Sequence, residues 1–111
     1  MLIKLTKKRD FDQIMKFGRC FFVESFYIKV LKNNLPNNRY GIMISLKVDK
    51  KAVVRNKIRR RFNEILRLNN LKIRQGFDIV ISTKDIIKNT PYDQNKQDLG
   101  FLLHQADLLK R

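Results

Sequence analysis

Between Lys50 and Phe62 lie seven Lys or Arg residues in thirteen, with no acidic residue among them. Apolar residues return at helical spacing through this segment and just past it, at Val54, Ile58, Phe62 and Ile65. Guanidinium forks match phosphate oxygens in pairs, and carboxamides add hydrogen bonds to sugar or base. On a helical wheel at about 100° per residue, the four apolar residues share an arc of about 80°. Arg55 and Arg59 edge that arc, while Asn56, Arg60, Asn63 and Arg67 occupy the far side. Lys47, Lys50 and Lys51 lead into the helix. A solvated face would normally mix charges of both signs; this one offers only donors, and the polyanion that suits it is RNA. Like charges at i, i+4, such as Arg55 and Arg59, cost a few tenths of a kcal/mol that a bound backbone would relieve.

Residues for protein-borne catalysis are sparse. His104 is the only histidine, and it sits among apolar neighbours of the last helix. Asp10 and Asp12, and separately Asp78 and Asp85, form no carboxylate cluster of the two-metal kind. There is no Gly-rich phosphate loop. Cys20 stands alone, so neither an intrachain disulfide nor a cysteine zinc site is available. No catalytic residue and no protein-held metal or cofactor is expected.

The elements that carry these residues follow from periodicity. Asp10–Phe17 reads as a short helix with Phe11, Ile14 and Met15 on one face, stopped by Gly18. Cys20–Leu31 reads as a strand, and Asn33–Asn38 as a turn. A second strand, about 39–46, is expected to return antiparallel beside the first. The basic helix spans about Lys51 to Asn69, and Phe77–Ser82 is a central strand buried on both faces. Residues 84–91 are ambiguous, and Tyr92–Lys110 forms a final amphipathic helix. The order α-β-β-α-β-α predicts an α/β two-layer sandwich with a small mixed sheet, one domain over residues 1–111. At 111 residues and 43% hydrophobic content the chain can build a real core. Its net charge of +15 favours polyanionic partners without choosing among RNA, DNA and membrane surfaces. No apolar run is long enough to span a bilayer, and Met1–Arg9 has no secretory pattern, so a cytoplasmic protein is expected.

The chain resembles the protein subunit of bacterial ribonuclease P. The resemblance rests on Gly41-Ile42-Met43-Ile44-Ser45, a short basic loop, and then Arg55-Asn56-Lys57-Ile58-Arg59-Arg60. Asp10-Phe11 with Gly18 and the strand Phe77–Ile81 fit the same pattern, so the likeness runs from about Leu5 to the last helix. It departs at Asn63, where the family often has a further Arg, with Arg61 on the opposite edge of the helix. It departs again at Met15, where an aromatic is common. The resemblance implies a left-handed βαβ crossover and a non-catalytic subunit of an endoribonuclease whose RNA uses Mg²⁺. It implies that Lys47, Lys50, Lys51, Arg55, Asn56, Arg59, Arg60, Asn63 and Arg67 dock on ribonuclease P RNA. The single-stranded 5′ leader of precursor tRNA would lie in a cleft of Phe11, Met15, Lys16, Phe17, Lys29 and Arg39, where aromatic platforms stack bases. A structural RNA-binding protein, such as a small ribosomal protein, is the alternative. Nothing in the sequence fixes the oligomeric state.

Overall fold

The computed structural model describes residues 2–110. In chain order the elements are β1 (Ile3–Lys4), α1 (Lys8–Phe17), β2 (Arg19–Phe22), β3 (Phe26–Lys32), β4 (Arg39–Met43), α2 (Ala52–Asn69), β5 (Phe77–Thr83) and α3 (Tyr92–Gln105). Short 3₁₀ turns occupy Asn70–Lys72 and Asp85–Asn89, the latter resolving the ambiguous stretch before Pro91. The five strands form one mixed sheet in the order β1-β4-β5-β3-β2.

Strand alternation divides the sheet into two faces. Phe26, Ile28, Val30, Ile79 and Ile81 point to one of them and pack with Ile58, Phe62, Ile65 and Leu66 of α2 and with Leu99, Leu102 and Leu103 of α3. This is the main sandwich, and the rings of Phe26 and Phe62 meet edge-on at 5.1 Å within it. Val80 points to the other face, where it joins Leu5 and Ile14 of α1, with Phe11, Met15 and Leu31 packed around them. β5 is thus buried on both faces, as its continuous apolar run predicts.

Four expectations are corrected. The stretch Cys20–Leu31 is not one strand but the antiparallel pair β2 and β3, which reverse around Val23–Ser25. The strand expected over 39–46 ends at Met43, because a turn at residues 46–48 leads into α2. β4 does not pair with β3 either: β5 lies between them, antiparallel to β3 and parallel to β4. The Asn-rich turn forms as expected, with Asn34 at φ 59° and the Asn33 side chain accepting from the Leu35 amide at 2.8 Å. It spans a strand's width, though, instead of closing a hairpin. α3 also stops at Gln105; Leu108 is buried beyond it, and Leu109 bridges to Ile73. Because β4 and β5 are parallel neighbours joined through α2, the basic helix is the crossover of a βαβ unit.

Two polar clusters hold β5 in place. Arg39 stands opposite Asp78 in the β4–β5 register, and its Nε and Nη2 donate to that carboxylate at 2.8 and 2.6 Å. Nη1 donates to Asp10 of α1 at 3.2 Å, so one guanidinium ties the helix to two strands. The hydrogen bonds to Asp78, and then the charges of Asp78 and Asp10, raise the Arg39 pKa and keep it cationic. The buried Asn38 side chain donates to the Arg74 carbonyl at 2.8 Å and to the Tyr40 hydroxyl at 3.0 Å, and accepts from the Phe77 amide at 2.8 Å.

Tyr40 yields a pH prediction. Burial pushes its phenol above the ordinary value, against a smaller opposing effect from Asn38. The folded state therefore holds this proton more tightly than the unfolded chain does. The associated stability is complete below about pH 10 and is lost as pH rises through the higher folded value. Urea unfolding of the parent should weaken steadily above about pH 10, whereas Tyr40→Phe, from its own lower baseline, should decline less.

Candidate nucleic-acid interface

α2 fastens to the core through Ile58, Phe62, Ile65 and Leu66 and leaves its opposite side open. Its amino end has no acidic residue in the first turn and no side-chain cap. That is an unfavourable arrangement beside the positive end of the helix dipole. The loop before it compensates. Asp49 accepts from the Lys51 amide at 2.8 Å and meets Lys88 at 3.2 Å, and both contacts lower its pKa, the backbone bond most. Arg55 Nη1 donates to the carbonyls of Asp49 and Lys50, each at 2.9 Å. Arg55 therefore braces the loop that presents Lys47, Lys50 and Lys51, all exposed. This bracing contact is additional to the RNA-docking role expected of Arg55.

The remaining members of the predicted face lie together. Arg59 Nη1 donates to the Asn56 oxygen at 2.9 Å, which fixes the amide and keeps its nitrogen available as a donor. Arg60 and Arg67 are exposed, and Asn63 is half-buried. Arg61 faces away and donates to the Thr90 carbonyl at 3.1 Å, so it cannot stand in for a cation at position 63. Hollows along this face bring Asn56, Arg59, Arg60, Asn63 and Arg67 into one continuous furrow, and Lys4 of β1 lines it too. Lys4 escaped the sequence reading, because only its pairing with β4 brings it beside α2.

A second surface lies on the other side of the sheet. In register, Met43, Ser82, Tyr27 and Phe22 form a row across β4, β5, β3 and β2. Strand alternation puts this row on the α1 side of the sheet, with Val80. Phe22 is 70% exposed and Phe17, at the end of α1, is 58% exposed. Met43 is also exposed, and Tyr27 is half-buried. The row and α1 thus border an open cleft furnished with rings.

The residues predicted for the cleft divide into two groups. Phe17 and Lys16 are exposed there, with the Lys16 ammonium 5.2 Å from the Phe17 ring centre. Phe11 and Met15 are half-buried. Phe11 packs on Gly41, where an added Cβ would come within 2.5 Å of its ring. Lys29 Nζ donates to the Met15 carbonyl at 2.5 Å, which places a cation at the carboxyl end of α1. Arg39 is held by two carboxylates and serves as the bolt between α1 and the sheet. Gly18 stops α1 as expected, in extended backbone; a Cβ there would lie 2.5 Å from the Ile14 carbonyl. The row as a unit is not legible in the sequence, since its four residues come from four strands and converge only in the folded sheet.

Among the described residues, no three His, Cys, Asp or Glu side chains are grouped to hold a metal ion, and no helix is long and apolar enough to cross a membrane. His104 is exposed.

Comparison with known proteins bears on the family of the chain. The family model described as Ribonuclease P matches residues 2–107. The "Ribonuclease P protein component" of Clostridioides difficile (strain 630) is 34% identical over 105 residues, covering 94% of this chain and 91% of the relative. That of Alkaliphilus oremlandii is 31% identical over 106 residues, covering 96% and 92%. Among solved structures, the Staphylococcus aureus RNase P protein superposes with a TM-score of 0.89 at 26% identity, covering 99% of this chain and 100% of that one. The protein from Thermotoga maritima gives 0.84 at 32% identity, covering 92% and 96%.

Proposed function

The chain belongs to the ribonuclease P protein family, and from that membership we propose that its two open surfaces engage two different RNAs. As a member, it is a protein subunit of an endoribonuclease ribonucleoprotein acting in tRNA processing, and it associates with ribonuclease P RNA. No feature of the fold or of the relatives favours a ribosomal protein. In the proposed division of labour, the α2 face with Lys47, Lys50 and Lys51 docks on ribonuclease P RNA. The cleft between α1 and the Met43–Phe22 row holds the single-stranded 5′ leader of precursor tRNA. Cleavage and its Mg²⁺ belong to the RNA, and the protein adds affinity and orientation. A cytoplasmic location is part of the same reading.

The observation that carries the reading is the strongly cationic open face of α2, on which Glu64 is the one acidic residue. Cations and amides there share a furrow, and the helix is rigidly seated by four buried residues. The cleft is supported by its exposed rings, since a base stacked on an aromatic ring gains about 1–3 kcal/mol.

The test is reconstitution with the cognate catalytic RNA at low Mg²⁺. The protein should enhance cleavage of precursor tRNA and should bind substrate with a leader more tightly than substrate without one. If about 4–6 leader phosphates are contacted, leader affinity should fall with salt at a log–log slope of about −3 to −4. Equal affinity for both substrates would remove the cleft assignment, and no enhancement of cleavage would remove the reading as a whole.

A further inference from the structure

We propose that Lys4 is an additional RNA-docking residue, which brings a cation from the amino-terminal strand to the neutral centre of the α2 face. The proposal rests on the reading of α2 as the docking surface.

Two adjoining hollows lie along that face and a third runs from it past Lys4 to Phe11 of α1 and Gly41 of β4; only Lys4 and Asn63 line all three. Arg59 and Arg60 each line two of them, and Arg67 lines one. Asn63, a neutral amide, thus stands at the middle of a ring of guanidinium groups, with the Lys4 side chain beside it. Arg61 cannot fill that gap, because it is bonded to Thr90 on the far edge of the helix.

The backbone that carries Lys4 is fixed. β1 pairs in parallel with β4, Lys4 opposite Tyr40, and the Leu5 amide donates to the Tyr40 carbonyl at 2.8 Å. Alternation sends Leu5 into the α1-side core and Lys4 to the α2 side. Leu2, two residues earlier on that same side, packs against the main core. Lys4 itself is exposed, and among the described residues no carboxylate lies within ion-pair distance of it. Glu64 lines one of the hollows without forming such a pair. An ammonium held next to an amide and flanked by arginines is suited to a backbone phosphate: lysine supplies the point charge, and Asn63 a hydrogen bond. A strand otherwise only two residues long then has a purpose at the interface.

The experiment is a salt series of binding to ribonuclease P RNA by the full chain, with folding checked by circular dichroism. Lys4→Ala should lower affinity about three- to tenfold and make the log–log slope shallower by about 0.7–0.9, the loss of one phosphate contact. Asn63→Arg in the Lys4→Ala background should restore both quantities, because it returns a cation to the same place. If Lys4→Ala keeps parental affinity and slope while Arg59→Ala weakens binding, Lys4 is not a docking residue but the α2 face stands. A loss of affinity without a change of slope would equally overturn the phosphate assignment. If neither variant responds, the docking face itself is misassigned and this proposal falls with it.

Discussion

Asp78→Ala is expected to lower the unfolding free energy by about 3 kcal/mol, near the lower end of what breaking a buried ion pair costs. Asp78 is only 4% exposed, and its charge is balanced by three donors: Arg39 Nε, Arg39 Nη2 and Asn33 Nδ2, at 2.8, 2.6 and 3.0 Å. Removing it strands a guanidinium that is itself about three-quarters shielded, with Asp10 as its one remaining carboxylate. The effect reaches beyond stability. Asp78 and Arg39 are register partners, and a slip of one residue would turn every side chain of β4 to the wrong face. Urea unfolding measures the loss directly. Replacing both partners with apolar residues of similar size should cost less than Asp78→Ala alone, since no shielded guanidinium is then stranded and only the more exposed Asp10 loses its partner. A single variant within about 0.5 kcal/mol of the parent would show that the pair adds nothing to stability.

The second large effect is on affinity. Arg59→Ala combined with Arg60→Ala should weaken binding to ribonuclease P RNA by about a hundredfold near 0.15 M salt. The log–log slope should become shallower by about 1.4–1.8, as expected for two lost phosphate contacts. Arg60 is exposed and Arg59 bonds only to Asn56, its neighbour on the same helix, so circular dichroism and melting should stay close to the parent. Arg55 is a poor choice for this test. Its guanidinium bonds to the carbonyls of Asp49 and Lys50, and Arg55→Ala would loosen the lysine-bearing loop as well as removing a charge. Parental affinity and slope in the double variant would refute the docking role of α2.

The α2 face was readable in the sequence because its signal is local. Helical spacing separates Ile58, Phe62 and Ile65 from Arg60, Asn63 and Arg67, and the folded helix keeps that separation. β5 was readable for a similar reason, since Ile79, Val80 and Ile81 leave no polar face to expose. The sheet order was not. Asn33–Asn38 has the composition of a hairpin turn, and nothing local says that a strand beginning at Phe77 will displace the hairpin partner. That outcome depends on β5 offering two apolar faces where β4 offers one, and on Asn38 and Arg39 bonding to Phe77 and Asp78. The reversal between β2 and β3 was hidden because Val23-Glu24-Ser25 contains no Gly, Pro or Asn. Lys4 and the Met43–Ser82–Tyr27–Phe22 row were out of reach for the same reason as the sheet order: strand pairing assembles them from distant parts of the chain.

The insertion of β5 between β3 and β4 also governs how the chain can be made. A ribosome that has released residues up to Asn69 has delivered four strands and the whole of α2, yet the two longest of those strands still lack the neighbour they share. Until Thr83 emerges, the nascent chain is an assortment of basic, aromatic segments with open hydrogen-bonding edges and a charge that drives them apart. The sheet can therefore close only after β5 has emerged, through pairings distant in sequence, the class of contact that slows folding. RNA that binds α2 only once β5 has closed the sheet would draw that late equilibrium forward, so the newborn subunit would be steadied by the molecule it serves.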